Sequence, residues 1–263
     1  MIPKVIHYCW FGGNPLPELA FKCIESWKKY CPEYEIREWN ESNYDLNCCD
    51  YVREAYEAKK WAFVSDVARL DIIYQYGGIY LDTDVELLKP LDDFLTLPAF
   101  FGTESTGQLN TGLGFGAQPG NETVKAMREM YRDIHFIQED QSYDLTACPV
   151  RNTEPLRAQG YAASDVIWKT GDAAVFPPQY FSPIDSRTGL LKVSEETCSI
   201  HHYSASWHTE EERYRLTMTK KVAQKCPFLS DAMGWRLAQL ITNFKFRGIR
   251  GAAAATLAWL KKE

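Results

Sequence analysis

No stretch of the 263 residues approaches the roughly 20 consecutive apolar positions that a membrane-spanning helix needs. The opening Met1-Ile2-Pro3-Lys4-Val5 lacks the apolar core of a secretory signal. An overall excess of basic charge is lacking too. Lys and Arg number 29 against 35 Asp and Glu, a net of −6, which argues against nucleic acid as a partner because phosphate backbones demand the opposite balance. Eight cysteines are present, yet no C-x-x-C occurs and Cys48 and Cys49 are adjacent, so the common zinc spacings are excluded. The expectation is thiols in the reducing cytosol, with Cys9 and Cys23 as small core residues. No internal repeat or low-complexity linker interrupts the chain, and its glycines do not form the G-x-G-x-x-G turn of dinucleotide-binding folds.

What is present reads as one α/β domain with a tail. Val5 to Phe11 forms a strand ending in the loop Gly12-Gly13-Asn14-Pro15. Leu19, Ala20, Cys23, Ile24 and Trp27 recur at helical spacing up to Cys31-Pro32. Tyr34 to Trp39 alternates as a second strand, Tyr51 to Lys60 is helical, and a longer helix covers Trp61 to Tyr76. Strand, helix, strand, helix, strand implies a mostly parallel sheet with covering helices. Further on, Phe100-Phe101 and Asn110 to Gly116 read as strands, Asn121 to Ile137 as a helix, and Val175 to Ser182 as a Pro-rich connector. Cys198 to Tyr203 reads as a late strand. Thr209 with Glu212 makes a capping box for a helix, and the last thirty residues are helical and basic. The implied division is 1–208 and 209–263.

The most informative run is Tyr76-Gly77-Gly78-Ile79-Tyr80-Leu81-Asp82-Thr83-Asp84-Val85-Glu86. The glycines break a helix, Ile79-Tyr80-Leu81 reads as a short strand, and Asp82 and Asp84 follow at its carboxyl end. Side chains on an extended backbone repeat every second residue, so the two acids are expected to share a side. Paired carboxylates suit Mg²⁺ or Mn²⁺, which bind through one or two carboxylates plus substrate phosphates. Ligands of open α/β sheets gather at the carboxyl ends of strands. Asp66 and Arg69, three apart on a helix, share a face and pair.

Four islands carry this chemistry: His7 to Gly13, Phe63 to Leu70 running on to the acids, Asn110-Thr111-Gly112, and His201 to Trp207. In this order they resemble the DxD glycosyltransferases of bacterial capsular-polysaccharide synthesis and the yeast initiating α-mannosyltransferases, glycosyltransferase family 32. More distantly they are similar to the glucosylating domains of large clostridial toxins. The resemblance implies a GT-A fold, with a Rossmann-like sheet and a helical C-terminal tail, and retaining transfer of a hexose from a nucleotide-sugar, UDP-linked, to a saccharide acceptor of a capsule or surface polysaccharide. A divalent cation, Mn²⁺ or Mg²⁺, would be held by Asp82, Asp84 and His202, the last chosen over His201 for its distance before Trp207. Asp66 and Arg69 would hold the donor sugar and phosphate, Trp10 the nucleotide base, and Asn110 a sugar hydroxyl. Ser204 or Ser206, with Trp207, would close on the diphosphate as a lid. Acceptor loops are expected between Glu139 and Tyr161.

Two other readings use the same residues. Leu81-Asp82-Thr83-Asp84-Val85 matches the loop of haloacid-dehalogenase-type phosphatases, with Asp82 as nucleophile, although that loop normally follows a first strand. A non-catalytic sugar-binding protein is the third reading. In the tail, Leu237, Leu240, Ile241 and Phe244 form one stripe beside Lys245, Arg247, Arg250, Lys261 and Lys262. That pairing implies either ordinary packing of two short helices parted at Gly248 and Gly251, or peripheral contact with an anionic membrane to present a lipid-linked acceptor. The expected location is the cytoplasm, peripheral at the inner face of the membrane.

Overall fold

The computed structural model describes residues 1–185, 188–204 and 209–260, with side chains through residue 249. The chain divides into two units, 1–184 with 192–203, and 185–191 with 204–263. The division read from the sequence at 208/209 therefore falls at 203/204. The short segment 185–191 joins the second unit, where Gln224 Nε2 donates to the Thr188 carbonyl at 2.6 Å.

The first unit runs β1 (Val5–Cys9), α1 (Glu18–Tyr30), β2 (Glu35–Trp39), α2 (Asp50–Glu57), α3 (Trp61–Tyr76), β3 (Gly78–Tyr80), β4 (Val85–Leu87), β5 (Ala99–Gly102), β6 (Phe115–Ala117), α4 (Glu122–Glu129), α5 (Cys148–Arg157), β7 (Trp168–Lys169), β8 (Ala174–Phe176), α6 (Pro178–Phe181) and β9 (Ser199–His201). Seven strands form one sheet in the order β2-β1-β3-β6-β5-β8-β7. Five of them run one way, and β6 and β7 run against them. This is the mostly parallel α/β sheet with flanking helices that the GT-A resemblance implied. A separate antiparallel pair, β4 with β9, stands outside it.

The sheet is buried on both faces, and β1 shows how its sequence serves two cores. Ile6 and Tyr8 join Cys23, Ile24 and Trp27 of α1, whereas Cys9 joins Val64, Val67 and Ala68 of α3. Helix α3 is apolar on most of its circumference and therefore lies inside. It ends because Gly77 takes φ 66°, which leads without a loop into Gly78 at φ 99° and β3. A Cβ on Gly78 would sit 2.8 Å from the Val5 carbonyl and 2.9 Å from His7 Nε2.

Several sequence boundaries move, each for a local reason. Asn110 to Gly114 turns instead of extending, since Leu113 N–H donates to the Asn110 carbonyl and Gly114 has φ 126°, so β6 begins only at Phe115. The acids Asp82 and Asp84 also lie in a turn, closed by Val85 N–H donating to the Asp82 carbonyl at 3.0 Å, and not on a strand end. The Pro-rich connector holds β8 and α6. Helix α4 starts at the Asn121 cap, as read, but stops at Glu129.

The second unit contains α7 (Glu210–Lys225) and α8 (Asp231–Leu260). Thr209 caps α7 with the reciprocal Glu212 bond of a capping box. Gly248, at φ 67° and ψ −169°, breaks α8 into two helical pieces.

His7 ties β1 to both its neighbours. Its Nε2 bonds the Gly77 carbonyl at 3.0 Å, and its Nδ1 accepts from Trp39 Nε1 at 3.0 Å. One nitrogen donates and the other accepts, so only the neutral ring satisfies both partners. Burial lowers its pKa from 6.5 to about 4. The folded state then binds fewer protons than the unfolded state between those values, and stability falls as pH drops from about 6.5 to about 4. The expected loss from this residue is roughly 3 kcal/mol. Denaturant midpoints across that range check it, with a flatter profile expected in His7→Gln.

Candidate functional site

The parallel register of β1 and β3 brings their carboxyl ends to one edge, with His7 opposite Tyr80 and Leu81 N–H donating to the His7 carbonyl. Trp10 leaves that edge from β1, and the turn holding Asp82 and Asp84 leaves it from β3. Beyond the turn, β4 pairs with β9 so that Val85 lies opposite His201. This register, together with His202 N–H donating to the Asp84 carbonyl at 3.0 Å, lays the late strand against the acids.

His201, not the expected His202, is the imidazole at the acids. Its Nε2 is 3.1 Å from Asp84 Oδ1, and donor atoms of Asp82, Asp84 and His201 all lie within 4.8 Å of one another. His202 turns elsewhere, with Nε2 2.9 Å from Glu86 Oε2. Adjacent residues at a strand end face opposite sides, and the pairing with β4 decides which one faces the acids. The set of two carboxylates and an imidazole fits a divalent cation, Mn²⁺ better than Mg²⁺ because of the nitrogen. Nδ1 of His201 is buried and has no hydrogen-bond partner among the described residues, so the ring keeps an unused nitrogen. Burial works against charge on His201, but the Asp84 carboxylate outweighs it and raises the pKa above the ordinary imidazole value. A cation at this site would compete with that proton.

Beneath the acids lies a buried charge network. Arg69 Nη2 donates to Asp66 Oδ1 at 2.7 Å and is 3.6 Å from Asp82 Oδ1, while its Nε donates to the Ser65 carbonyl. Tyr80 Oη donates to Asp82 Oδ1 at 3.0 Å, and the guanidinium lies 5.1 Å from the Tyr80 ring centre. Burial pushes the Asp66 carboxyl above its usual range, with Arg69 opposing the shift. Arg69 is itself buried, but Asp82 and Asp66 hold it firmly protonated. Asp66 and Arg69, read as a helical pair, thus form one unit with Asp82.

Asn110-Thr111-Gly112 closes over this network. Asn110 Oδ1 accepts from Gly112 N–H at 2.7 Å, and the Gly112 carbonyl accepts from Asp82 N–H at 3.2 Å. Only glycine fits: a Cβ at 112 would lie 2.2 Å from Asp82 Oδ2 and 3.0 Å from Arg69 Nη1. Asn110 Nδ2 donates to Glu104 at 2.6 Å, and Cys148 and Asn152 of α5 pack on Asn110 and Thr111. Sequence reading missed Glu104 and Cys148. Neither sits in a motif, and only the fold of β5 and α5 carries them to the turn.

The remaining expected residues are more dispersed. Trp10 is half-buried at the same sheet edge, its indole N–H donating to the Asn14 carbonyl at 2.5 Å. Ser204 is exposed and belongs to the second unit. Ser206 and Trp207 lie outside the described residues, so the lid role rests on the sequence alone. Asp82 follows the third strand of the sheet in chain order, not the first, unlike the phosphatase loop.

Residues 17–100 match the family described as glycosyltransferase sugar-binding region containing DXD motif. That span includes Asp66, Arg69, Asp82 and Asp84. Inositol phosphoceramide mannosyltransferase 3 of Schizosaccharomyces pombe is 34% identical over 123 residues, 43% of this chain and 33% of the relative. Inositol phosphoceramide mannosyltransferase 1 of the same yeast is 30% identical over 161 residues, 56% and 46% of the two chains. Subversion of eukaryotic traffic protein A of Legionella pneumophila is 22% identical over 244 residues, 81% of this chain and 35% of that protein. The chain thus spans between a third and a half of the length of these relatives. Among solved structures, PaToxG glycosyltransferase is similar over 60% of this chain and 69% of its own, at 18% identity and a TM-score of 0.48.

Replacing each histidine in turn separates the two imidazoles. His201→Ala is expected to weaken Mn²⁺-dependent nucleotide binding by about tenfold or more, whereas His202→Ala should change it by less than about threefold. Calorimetry with and without Mn²⁺ reads both.

Proposed function

We propose, for a chain whose residues 17–100 match the DXD-containing sugar-binding region of glycosyltransferases, that it moves a hexose from a nucleotide-sugar to a saccharide acceptor with a divalent cation. The observation that carries this is the convergence of Asp82, Asp84 and His201 directly above the Arg69–Asp66 pair. A bound cation would act as a Lewis acid on the departing diphosphate.

The chain's own groups do the rest. Asp82, Asp84 and His201 would hold the cation, and Arg69 keeps Asp82 in place while its charge balances those of Asp66 and Asp82. Asp66, paired with Arg69, takes a hydroxyl of the donor sugar. Asn110, anchored on Glu104, offers its amide near the same sugar. Burial of Asp66, Arg69 and Tyr80 excludes water from beneath the reacting carbon and strengthens these fixed dipoles. Of the courses that give retention we take the front-face one, in which the leaving phosphate takes the acceptor proton and no enzyme carboxylate attacks. The acceptor is read as a saccharide of a capsule or surface polysaccharide, entering beside the 139–161 segment that packs on Asn110 and Thr111.

For the donor, Trp10 at the β1 edge supports stacking on uracil, so UDP-glucose or UDP-galactose is the proposed donor class. The relatives named as mannosyltransferases make GDP-mannose the competing donor.

Asp84→Asn is expected to lower transfer by at least about a hundredfold while leaving the thermal midpoint within a few degrees, since a lost Lewis-acid ligand removes several kcal/mol of transition-state stabilisation. Unchanged turnover in that variant overturns the metal-site reading. Calorimetry with UDP and GDP in the presence of Mn²⁺ should give the tighter binding with UDP. Tighter GDP binding replaces the donor assignment and leaves the transferase reading standing.

A further inference from the structure

The helical unit has a composition and a surface that sugar transfer does not use. Between Arg213 and Arg250 stand nine Lys and Arg and a single acid, Asp231. Residues 204–263 hold eleven basic and five acidic residues, a net of +6, so residues 1–203 of this −6 chain carry −12. Such segregation of charge within one chain points to an anionic partner for the basic part.

Helix α8 also packs inside out. Among its described residues, those it buries are small or polar, namely Gly234, Ala238, Thr242 and Asn243, and a Cβ on Gly234 would lie 3.7 Å from Val222 of α7. Ile241 and Phe246 are half-buried, Phe246 against the Tyr214 ring of α7, but four other large apolar residues point away. Met233, Leu237, Leu240 and Phe244 are 53, 38, 37 and 58% exposed, and their spacing of four, three and four places them on one face of the helix. Phe228, in the turn between α7 and α8, is 82% exposed. An ordinary surface helix would turn that stripe to the core. Arg236 and Arg247 fall along one edge of the stripe by the same periodicity, and Lys220, Lys221 and Lys225 lie on α7.

We propose that the α7–α8 hairpin seats this protein on an anionic lipid bilayer, the Met233–Leu237–Leu240–Phe244 stripe entering the acyl boundary while the surrounding Lys and Arg meet the headgroups. Charge complementarity selects this occupant. A second copy of the hairpin would bring +6 against +6, and a nucleic acid offers no apolar phase to receive the stripe. Among the described residues no helix is long and apolar enough to cross a membrane, so the contact lies in the plane of the interface. The apolar stripe and the basic group act together, because either alone gives weak attachment.

Flotation of the full chain tests this. Vesicles of phosphatidylcholine with about 30% phosphatidylserine should carry the protein up the gradient at ~150 mM salt, and pure phosphatidylcholine vesicles should not. The double variant Leu240→Glu, Phe244→Glu should lose at least about tenfold in partitioning to the anionic vesicles, and Lys220→Ala, Lys221→Ala, Lys225→Ala should reduce the dependence on phosphatidylserine. All five positions are at least partly solvent-facing, and an unchanged helical circular-dichroism signal verifies folding. The proposal is overturned if the full chain stays at the bottom with both vesicle types, or if the double Glu variant floats as well as the parent. A dimer in light scattering that the double variant dissociates, without lipid binding, assigns the stripe to a second copy instead. Sugar transfer to a soluble acceptor is read in parallel; its loss in all forms would bear on the transfer reading and not on this one.

Discussion

Arg69 sits with only 4% of its side chain exposed, 2.7 Å from Asp66 and 3.6 Å from Asp82. Two carboxylates that close would repel one another across a poorly solvated interior, and the guanidinium is what makes their coexistence affordable. Everything nearby is arranged to keep it there. The Ser65 carbonyl accepts from its Nε, its guanidinium lies over the Tyr80 ring, and Gly112 leaves room where a methyl group would crowd Nη1 and collide with Asp82 Oδ2. Deleting the guanidinium would leave the buried Asp66 charge uncompensated, a cost of about 3–5 kcal/mol in comparable pairs, with the part-exposed Asp82 beside it. The network therefore serves the fold as well as the chemistry, and Asp82 is shared between the two.

That shared residue explains why the acids stand in a turn. A carboxylate on a regular strand would have its orientation set by the pleat alone. In the turn, Asp82 is fixed through its own backbone to Gly112 and Val85 and through its side chain to Tyr80 and Arg69. Asp84 takes the His202 N–H on its carbonyl and is met at its carboxylate by His201 from β9. Two separate pieces of sheet thus contribute to one cluster, the main sheet through β3 and the small one through β4 and β9.

How much of this could be read from the sequence depended on the range of the interaction. Helix α3 was legible from Trp61 to Tyr76 because local periodicity and the glycines at 77 and 78 fix both its interior and its end. The Thr209–Glu212 capping box and the break at Gly248 were legible for the same reason, being effects of neighbouring residues on backbone dihedrals. The Asp66–Arg69 pair followed from helical spacing. The choice between His201 and His202 did not, because it hangs on the register of β9 against β4, which is long-range pairing with no trace in either strand's own sequence. The same applies to Glu104 and Cys148, whose positions at the site are products of tertiary packing. The Asn110 to Gly114 turn was misread because alternating glycines mimic the period of a strand while permitting the positive φ that ends one.

The direct junction of α3 to β3 has a consequence for how the site comes into being. With Gly77 as the one residue between helix and strand, Asp66, Arg69 and Asp82 are brought near each other by a short, nearly local stretch of chain, so their encounter carries little loop-closure entropy. The imidazole of His201 arrives from far downstream, after most of the sheet has been threaded. The two halves of the cluster thus differ in closure entropy: the anionic cradle and its counter-cation are joined across a short stretch of chain, the nitrogen donor across a long one.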